Sequence, residues 1–298
     1  MTEKKDHKHQ PVFTPNPIAK PLRLFSYVFP NSIAGYLATL WSRPINMGKG
    51  LYIPKLKSQA NHIINTGVTP IYGYGEGDKH IVLLHGWNAR GGQLRKFINP
   101  LVREGFCVWW FDAPGFGEHP GKTSNAYLFG QTLIDVQQQI QAKTGQPIYA
   151  TISHSLGCLA TILATNPKLF QPAYCCTKLI WIAPSISPNT MFDSYCEHMS
   201  IREAIQQKMR TLIHDDMQII LKEDPWQFFK REDLFDHLPN QTLLMFDTQD
   251  EEVLQSDFES INDRIKPECT IKTEGLGHYR MLKDSPVIEQ ITQFIATK

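Results

Sequence analysis

PIYATISHSLGCLATILA, running from Pro147 to Ala164, is the stretch from which the fold can be read. Pro147 to Ile152 is β-rich and leads straight into Ser153-His154-Ser155-Leu156-Gly157, after which Leu156 to Ala164 continues in a helical pattern. A serine on so sharp a strand-to-helix turn projects its hydroxyl above the sheet edge, and small residues two before and two after it let strand and helix approach closely. The earlier of those positions is Ser153 where glycine is usual, and serine is small enough to fit.

Outward from this turn the pattern alternates strand and helix. Upstream, Thr69 to Tyr74 and His80 to His85 flank the turn Gly75-Glu76-Gly77-Asp78 and read as a hairpin entering a sheet. Ile81 to Leu84 is a short apolar run, Gln93 to Val102 has helical periodicity closed by Gly105, and Phe106 to Phe111 is the next strand. Asn125 to Lys143 reads as a long helix ended by Gly145. Lys178 to Ala183, Thr242 to Phe246 and Thr270 to Lys272 are further strands. Repeated βα units predict an α/β fold with a mostly parallel, doubly wound sheet. Ser187 to Asn240 is helical in pattern, rich in charge and without a strand, which marks it as a cap inserted into the core. The expected organisation is a leader and helical arm over 1–68, a core over 69–186 and 241–298, and a helical cap over 187–240.

Composition narrows the function. At 298 residues with 42% hydrophobic and 20% charged residues, the chain has ample material for one core with an insertion. Lysine plus arginine number 30 against 29 acids, a net charge of +1 that gives no electrostatic reason to expect nucleic acid or an acidic surface as partner. The six cysteines lack paired zinc-site spacing and read mostly as buried thiols, and Met1 to Gln10 lacks a secretory apolar region, so a cytoplasmic location is expected. Leu24 to Trp41 is uncharged, about 18 residues long and close to spanning length. Pro30-Asn31-Ser32 interrupts it and Ser26, Tyr27, Tyr36 and Thr39 add polar groups, so a broken helical arm packed on the core is expected, with no integral membrane association. An interfacial helix or an entrance flap for apolar substrates are the other readings of this run.

Four motifs follow in order: His85-Gly86 after an apolar strand, Asp112-Ala113-Pro114-Gly115-Phe116-Gly117, the turn at Ser155, and a late Gly277-His278. Together they resemble the α/β-hydrolase superfamily, in its serine esterase and lipase-like branch, from about Thr69 to the C-terminus. The resemblance implies a catalytic triad in which Ser155 at the nucleophile elbow is activated by His278. Of 11 histidines, His278 alone follows the last strand in the motif position. The orienting acid is expected in the loop after Thr242 to Phe246, where Asp250 leads, and Asp247, Glu251 and Glu252 stay open. The backbone amides of Trp87 and Leu156 would form the oxyanion hole. Asp112 is expected to tie down neighbouring loop backbone, and Trp226, Phe228 and Phe229 of the cap are candidate pocket residues. No cofactor and no metal site is expected.

The implied activity is cleavage of a small carboxylic ester, with a small-molecule acyl ester as partner. Thioesterase, carbon-carbon bond hydrolase and acyltransferase activities share the same triad. A non-catalytic ligand-binding homologue would ordinarily have lost a triad member, and none is lost. Family membership implies fold and not substrate.

Overall fold

The computed structural model describes residues 18–44 and 53–297. Eight strands form one sheet: β1 (His62–Asn65), β2 (Pro70–Tyr74), β3 (His80–Leu84), β4 (Cys107–Trp110), β5 (Ile148–His154), β6 (Lys178–Ile182), β7 (Gln241–Asp247) and β8 (Cys269–Thr273). The helices are α1 (Ala19–Phe25), α2 (Pro30–Trp41), α3 (Ile53–Ser58), α4 (Ile98–Arg103), α5 (Ala126–Thr144), α6 (Leu156–Thr165), α7 (Pro188–His198), α8 (Glu203–Leu221), α9 (Pro225–Phe228), α10 (Gln255–Ile265), α11 (Gly277–Arg280) and α12 (Ser285–Ala296). The strand order is β1-β2-β4-β3-β5-β6-β7-β8. From β4 through β8 every pairing is parallel, while β1–β2 and β2–β4 are antiparallel.

The central strands read as continuous apolar runs because both faces are covered. One face carries Val82, Trp109, Leu179 and Leu244 against Phe129 and Leu133 of α5, Leu159 and Leu163 of α6 and Phe258 of α10. The other carries Ile81, Leu83, Ile152 and Ile180 against Phe97, Leu101 of α4 and Val287 and Ile291 of α12. Local signals set the helix ends. The Asn125 side chain accepts from the Leu128 amide at the start of α5, and Gly145 closes that helix at φ 72°.

Two sequence expectations are corrected. β2 and β3 flank a tight turn but do not form a hairpin, because β4 inserts between them and takes β2 as its antiparallel neighbour. The sheet also begins earlier than Thr69, at the edge strand β1, whose residues alternate between half-buried and exposed.

The arm is broken, as its Pro30 predicts: α1 and α2 meet at Phe29, and Pro30 occupies the first turn of α2, where its missing N–H costs nothing. Its packing partner differs from the expected one. Ala34 and Leu37 of α2 are buried against Phe192 and Cys196 of α7 and Ile205 and Met209 of α8, so the arm packs on these two helices of the 187–240 segment, and together they form a third apolar cluster. No helix of the described residues is long and apolar enough to cross a membrane.

Candidate active site

Ser155 sits between the end of β5 and the start of α6, at φ 53° and ψ −123°. A non-glycine residue there carries strain of about 1–3 kcal/mol. The surroundings hold it in place. The Ser155 amide donates to the Ile182 carbonyl at 3.0 Å, and the Ser155 carbonyl accepts from the Cys158 amide at 3.0 Å. Closeness requires glycine on two sides. A Cβ on Gly157 would lie 2.8 Å from the His85 carbonyl oxygen, and one on Gly86 would lie 2.8 Å from the Ser155 Cβ. The loop after β3 is thus pressed against Ser155, with Trp87 next in line and Leu156 opening α6. Ser153, where the motif ordinarily carries glycine, is fully buried, and its hydroxyl has no hydrogen-bond partner among the described residues.

His278 lies in the first turn of the short α11, one residue after Gly277, and is buried. Its Nδ1 lies 2.8 Å from Asp250 Oδ2. A carboxylate accepts, so Nδ1 carries the proton and the Nε2 lone pair is left for another donor. The Asp250 carboxylate is itself fixed, its Oδ1 accepting from the amides of Glu252 at 2.8 Å and Val253 at 2.9 Å. The Nε2 atom is buried without a hydrogen-bond partner among the described residues. Burial alone disfavours the imidazolium of His278, but the Asp250 hydrogen bond and the charges of Glu252 and Asp250 outweigh it and raise the pKa above the ordinary 6.5.

His154 joins the two halves. Its ring is 4.6 Å from the His278 ring, and its Nε2 donates to the His278 carbonyl at 3.0 Å, so the residue before Ser155 is bonded to the residue proposed as its base. Burial holds His154 well below the usual histidine range, and the same holds in direction for His85. A neutral His85 is required by its bonds: Nδ1 donates to the Gly86 carbonyl at 2.8 Å and Nε2 accepts from the Ala113 amide at 3.1 Å. Cys158 is one turn into α6, and burial raises its thiol well above the ordinary range, which leaves it a poor nucleophile.

Asp247, the other aspartate of the loop, has different work. Its carboxylate accepts from the Gln249 amide at 2.9 Å, the Thr273 hydroxyl at 2.7 Å and the Leu276 amide at 2.9 Å. Burial would raise its pKa, but these bonds and one from the Gly277 amide outweigh that and lower it. Asp247 therefore clamps the strand carrying the acid loop to the segment entering His278. Asp112 ties loops in the same manner, accepting from the Gly91 amide at 2.9 Å and the Glu118 amide at 3.0 Å.

Glu252 was one of several open acids in the sequence, and only the folded loop distinguishes it. Its Oε2 lies 3.4 Å from His278 Nε2, on a side chain that is half exposed. The three candidate pocket aromatics fall in two apolar clusters. Trp226 packs on Phe192 at 5.4 Å and under the Arg210 guanidinium at 4.5 Å, while Phe228 is buried in the main cluster with Phe229 at 5.2 Å. Phe229 and Trp87 pack on that cluster, and so do residues absent from the sequence reading, namely Ile186 after β6, Met191 of α7 and Met217 of α8. Those three carried no motif that could have marked them.

A profile of the family described as "Serine aminopeptidase, S33" matches residues 75–260. A pimeloyl-[acyl-carrier protein] methyl ester esterase of Klebsiella pneumoniae subsp. pneumoniae is 31% identical over 98 residues, which is 33% of this chain and 34% of that protein. The chain thus spans about a third of the length of the curated relatives it matches. An esterase of Pyrococcus furiosus superposes with a TM-score of 0.59 at 16% identity, covering 85% of this chain and 98% of the other. A monoacylglycerol lipase of Paleococcus ferrophilus does so at 0.55 and 17%, covering 79% and 98%. At such identities these two structures speak to the α/β-hydrolase fold.

Proposed function

The chain belongs to the serine aminopeptidase S33 family of α/β hydrolases, and we propose that it is a serine hydrolase cleaving a small carboxylic ester through an acyl-enzyme on Ser155. The observation that carries this reading is His278: Nδ1 bonded to Asp250, Nε2 buried without a hydrogen bond, and the ring packed on the residue before Ser155. In the proposed cycle His278 Nε2 takes the Ser155 proton as the hydroxyl attacks the acyl carbon. The imidazolium that forms is stabilised by Asp250, and the Trp87 and Leu156 amides hold the oxyanion, each worth about 3 kcal/mol. Nε2 then protonates the departing alcohol, and water activated by the same nitrogen releases the acid. The partly buried Trp87, Ile186, Met191 and Met217 support an apolar acyl group, and Trp226, Phe228 and Phe229 bear on its pocket through the cap they build. Esterase and lipase neighbours and the methyl ester esterase relative support ester cleavage over the thioesterase, carbon-carbon bond hydrolase and acyltransferase alternatives. Six free cysteines support a cytoplasmic location.

A fluorophosphonate probe tests the reading. The folded chain should be labelled on Ser155 and Ser155→Ala should not, and an unlabelled wild-type chain beside a labelled control hydrolase overturns the assignment.

A second reading has one observation behind it. The Glu252 carboxylate, 3.4 Å from Nε2, would pair with the α-ammonium on the acyl side of an aminoacyl substrate, the group that an aminopeptidase takes. Turnover of aminoacyl anilides faster than of neutral acyl esters would favour it.

A further inference from the structure

The near-zero net charge conceals a division along the chain. From His7 to Gly75 there is no aspartate or glutamate, while seven lysines and arginines fall in that interval. Residues 1–75 hold nine basic residues against two acids, which leaves 21 against 27 for residues 76–298. Within this acid-free interval lies a run of exposed apolar side chains. Leu24, Phe25, Tyr27, Val28 and Phe29, at the end of α1 and in the turn to α2, are each between 53% and 69% exposed. Single exposed apolar residues are ordinary, but five in six consecutive positions form a patch of the kind that marks an interaction site.

The patch is held out by the cap. Arg202, at the start of α8, lays its guanidinium 3.6 Å from the centre of the Tyr27 ring and donates from Nη1 to the Ser26 hydroxyl at 3.2 Å. Tyr195 of α7 donates its hydroxyl to the Leu37 carbonyl at 3.2 Å. The inner side of the arm is spent on this packing through Ala34 and Leu37. Lys20 and Arg23 of α1 are exposed beside the patch.

We propose that the turn from Leu24 to Phe29 is a membrane-surface docking element that seats its apolar side chains among the acyl chains of an anionic phospholipid leaflet, with Lys20 and Arg23 on the headgroups. Two features select this partner. Insertion of apolar residues beside cations is the recipe for interfacial binding, in which apolar burial and attraction to anionic lipid act together. A second copy docked through the same patch would instead bring two acid-free cationic arms together, and like charges oppose that contact. The docking element stands apart from the serine chemistry and does not depend on it.

The full chain is tested by co-sedimentation with unilamellar vesicles of phosphatidylcholine alone and with about 30% phosphatidylserine. Wild-type protein should bind the anionic vesicles at least about tenfold more strongly than the neutral ones, and about 0.5 M salt should reduce that preference. Val28→Asp with Phe29→Asp should lower binding to anionic vesicles at least about tenfold. Lys20→Glu with Arg23→Glu, which leaves every apolar side chain in place, should do the same. Both pairs are exposed, and unchanged circular dichroism shows that the fold is kept. Equal binding to the two vesicle types, or anionic binding that survives both double variants, overturns the proposal. So does a concentration-dependent dimer by light scattering that Val28→Asp with Phe29→Asp abolishes, since a second copy is then the occupant.

Discussion

Around Ser155 and His278 the polar groups are held by short bonds that fix angles: Asp250 to His278, Asp247 to the Leu276 amide, His154 to the His278 carbonyl. Arm and cap meet in a different manner, mainly through apolar side chains, with Ala34 and Leu37 lying on Phe192, Ile205 and Met209. Directional bonds hold a geometry that chemistry needs to within fractions of an ångström, while apolar contact holds a surface in place and tolerates exchange of one side chain for another. The difference teaches where each region is vulnerable. The site at the C-terminal ends of the strands should lose function without losing its fold, and the arm should come loose without disturbing the chemistry.

The largest expected effect is at that site. Ser155→Ala should lower kcat on a p-nitrophenyl ester by about 10⁴-fold or more, with a melting temperature within about 2 °C of wild type. The two aspartates separate chemistry from architecture. Asp250→Asn should cost about 10³-fold or more in kcat through the wrong His278 tautomer, with little change in stability. Asp247→Asn should instead cost about 2 kcal/mol of stability by weakening its bonds to Thr273 and the Leu276 amide, measured by urea unfolding. Equal stability losses in the two variants would erase the proposed division of labour.

On the other side of the comparison, Leu37→Ala removes a buried side chain from the arm–cap cluster and should cost about 2–3 kcal/mol locally. Proteolysis between residues 18 and 44 should accelerate while exchange protection of β3, β5 and β6 stays as it is. Loss of protection throughout would show that arm and core unfold as one unit.

The smallest effect is on pH. A base must be neutral to act, so kcat/KM should rise with pH through an apparent value above histidine's ordinary 6.5, and Glu252→Gln should move that limb downward. The stability signs are opposite for the two groups. The raised His278 value adds stability that is fully present below 6.5 and is lost as pH rises through the folded value, while the lowered Asp247 value adds stability present above 3.8 that is lost as pH falls through its folded value.

Much of the fold was legible because buried parallel strands are written as uninterrupted apolar runs, and β3, β5, β6 and β7 begin and end within a residue or two of those runs. The edge was not. His62-Ile63-Ile64-Asn65 is four residues long with one face in solvent, too short and too mixed to stand out before its partner is known. The hairpin expectation failed for a related reason: turn residues between β2 and β3 report a change of direction, and which strand lies alongside is decided by β4, more than thirty residues on from β2. The arm's uncharged run marked an element that must be covered, but the covering surface is α7 and α8 and not the core that the sequence led us to expect. Ser155 and His278 stood out through motif context, whereas four acids in one loop are separated only by where the backbone amides point. The charge division was present in the sequence, but a whole-chain average of +1 cancels it.

The arm–cap cluster also has a consequence in time. Leu37 waits for Tyr195, 158 positions later, and Ser26 waits for Arg202, 176 positions later. During synthesis at about 5–20 residues per second, Leu24 to Phe29 therefore leave the ribosome on the order of 10–30 s before the helices that steady them exist. For that interval a nascent chain carries a bare greasy segment among cationic residues, and a chaperone or a nearby bilayer can reach it before its own cap does.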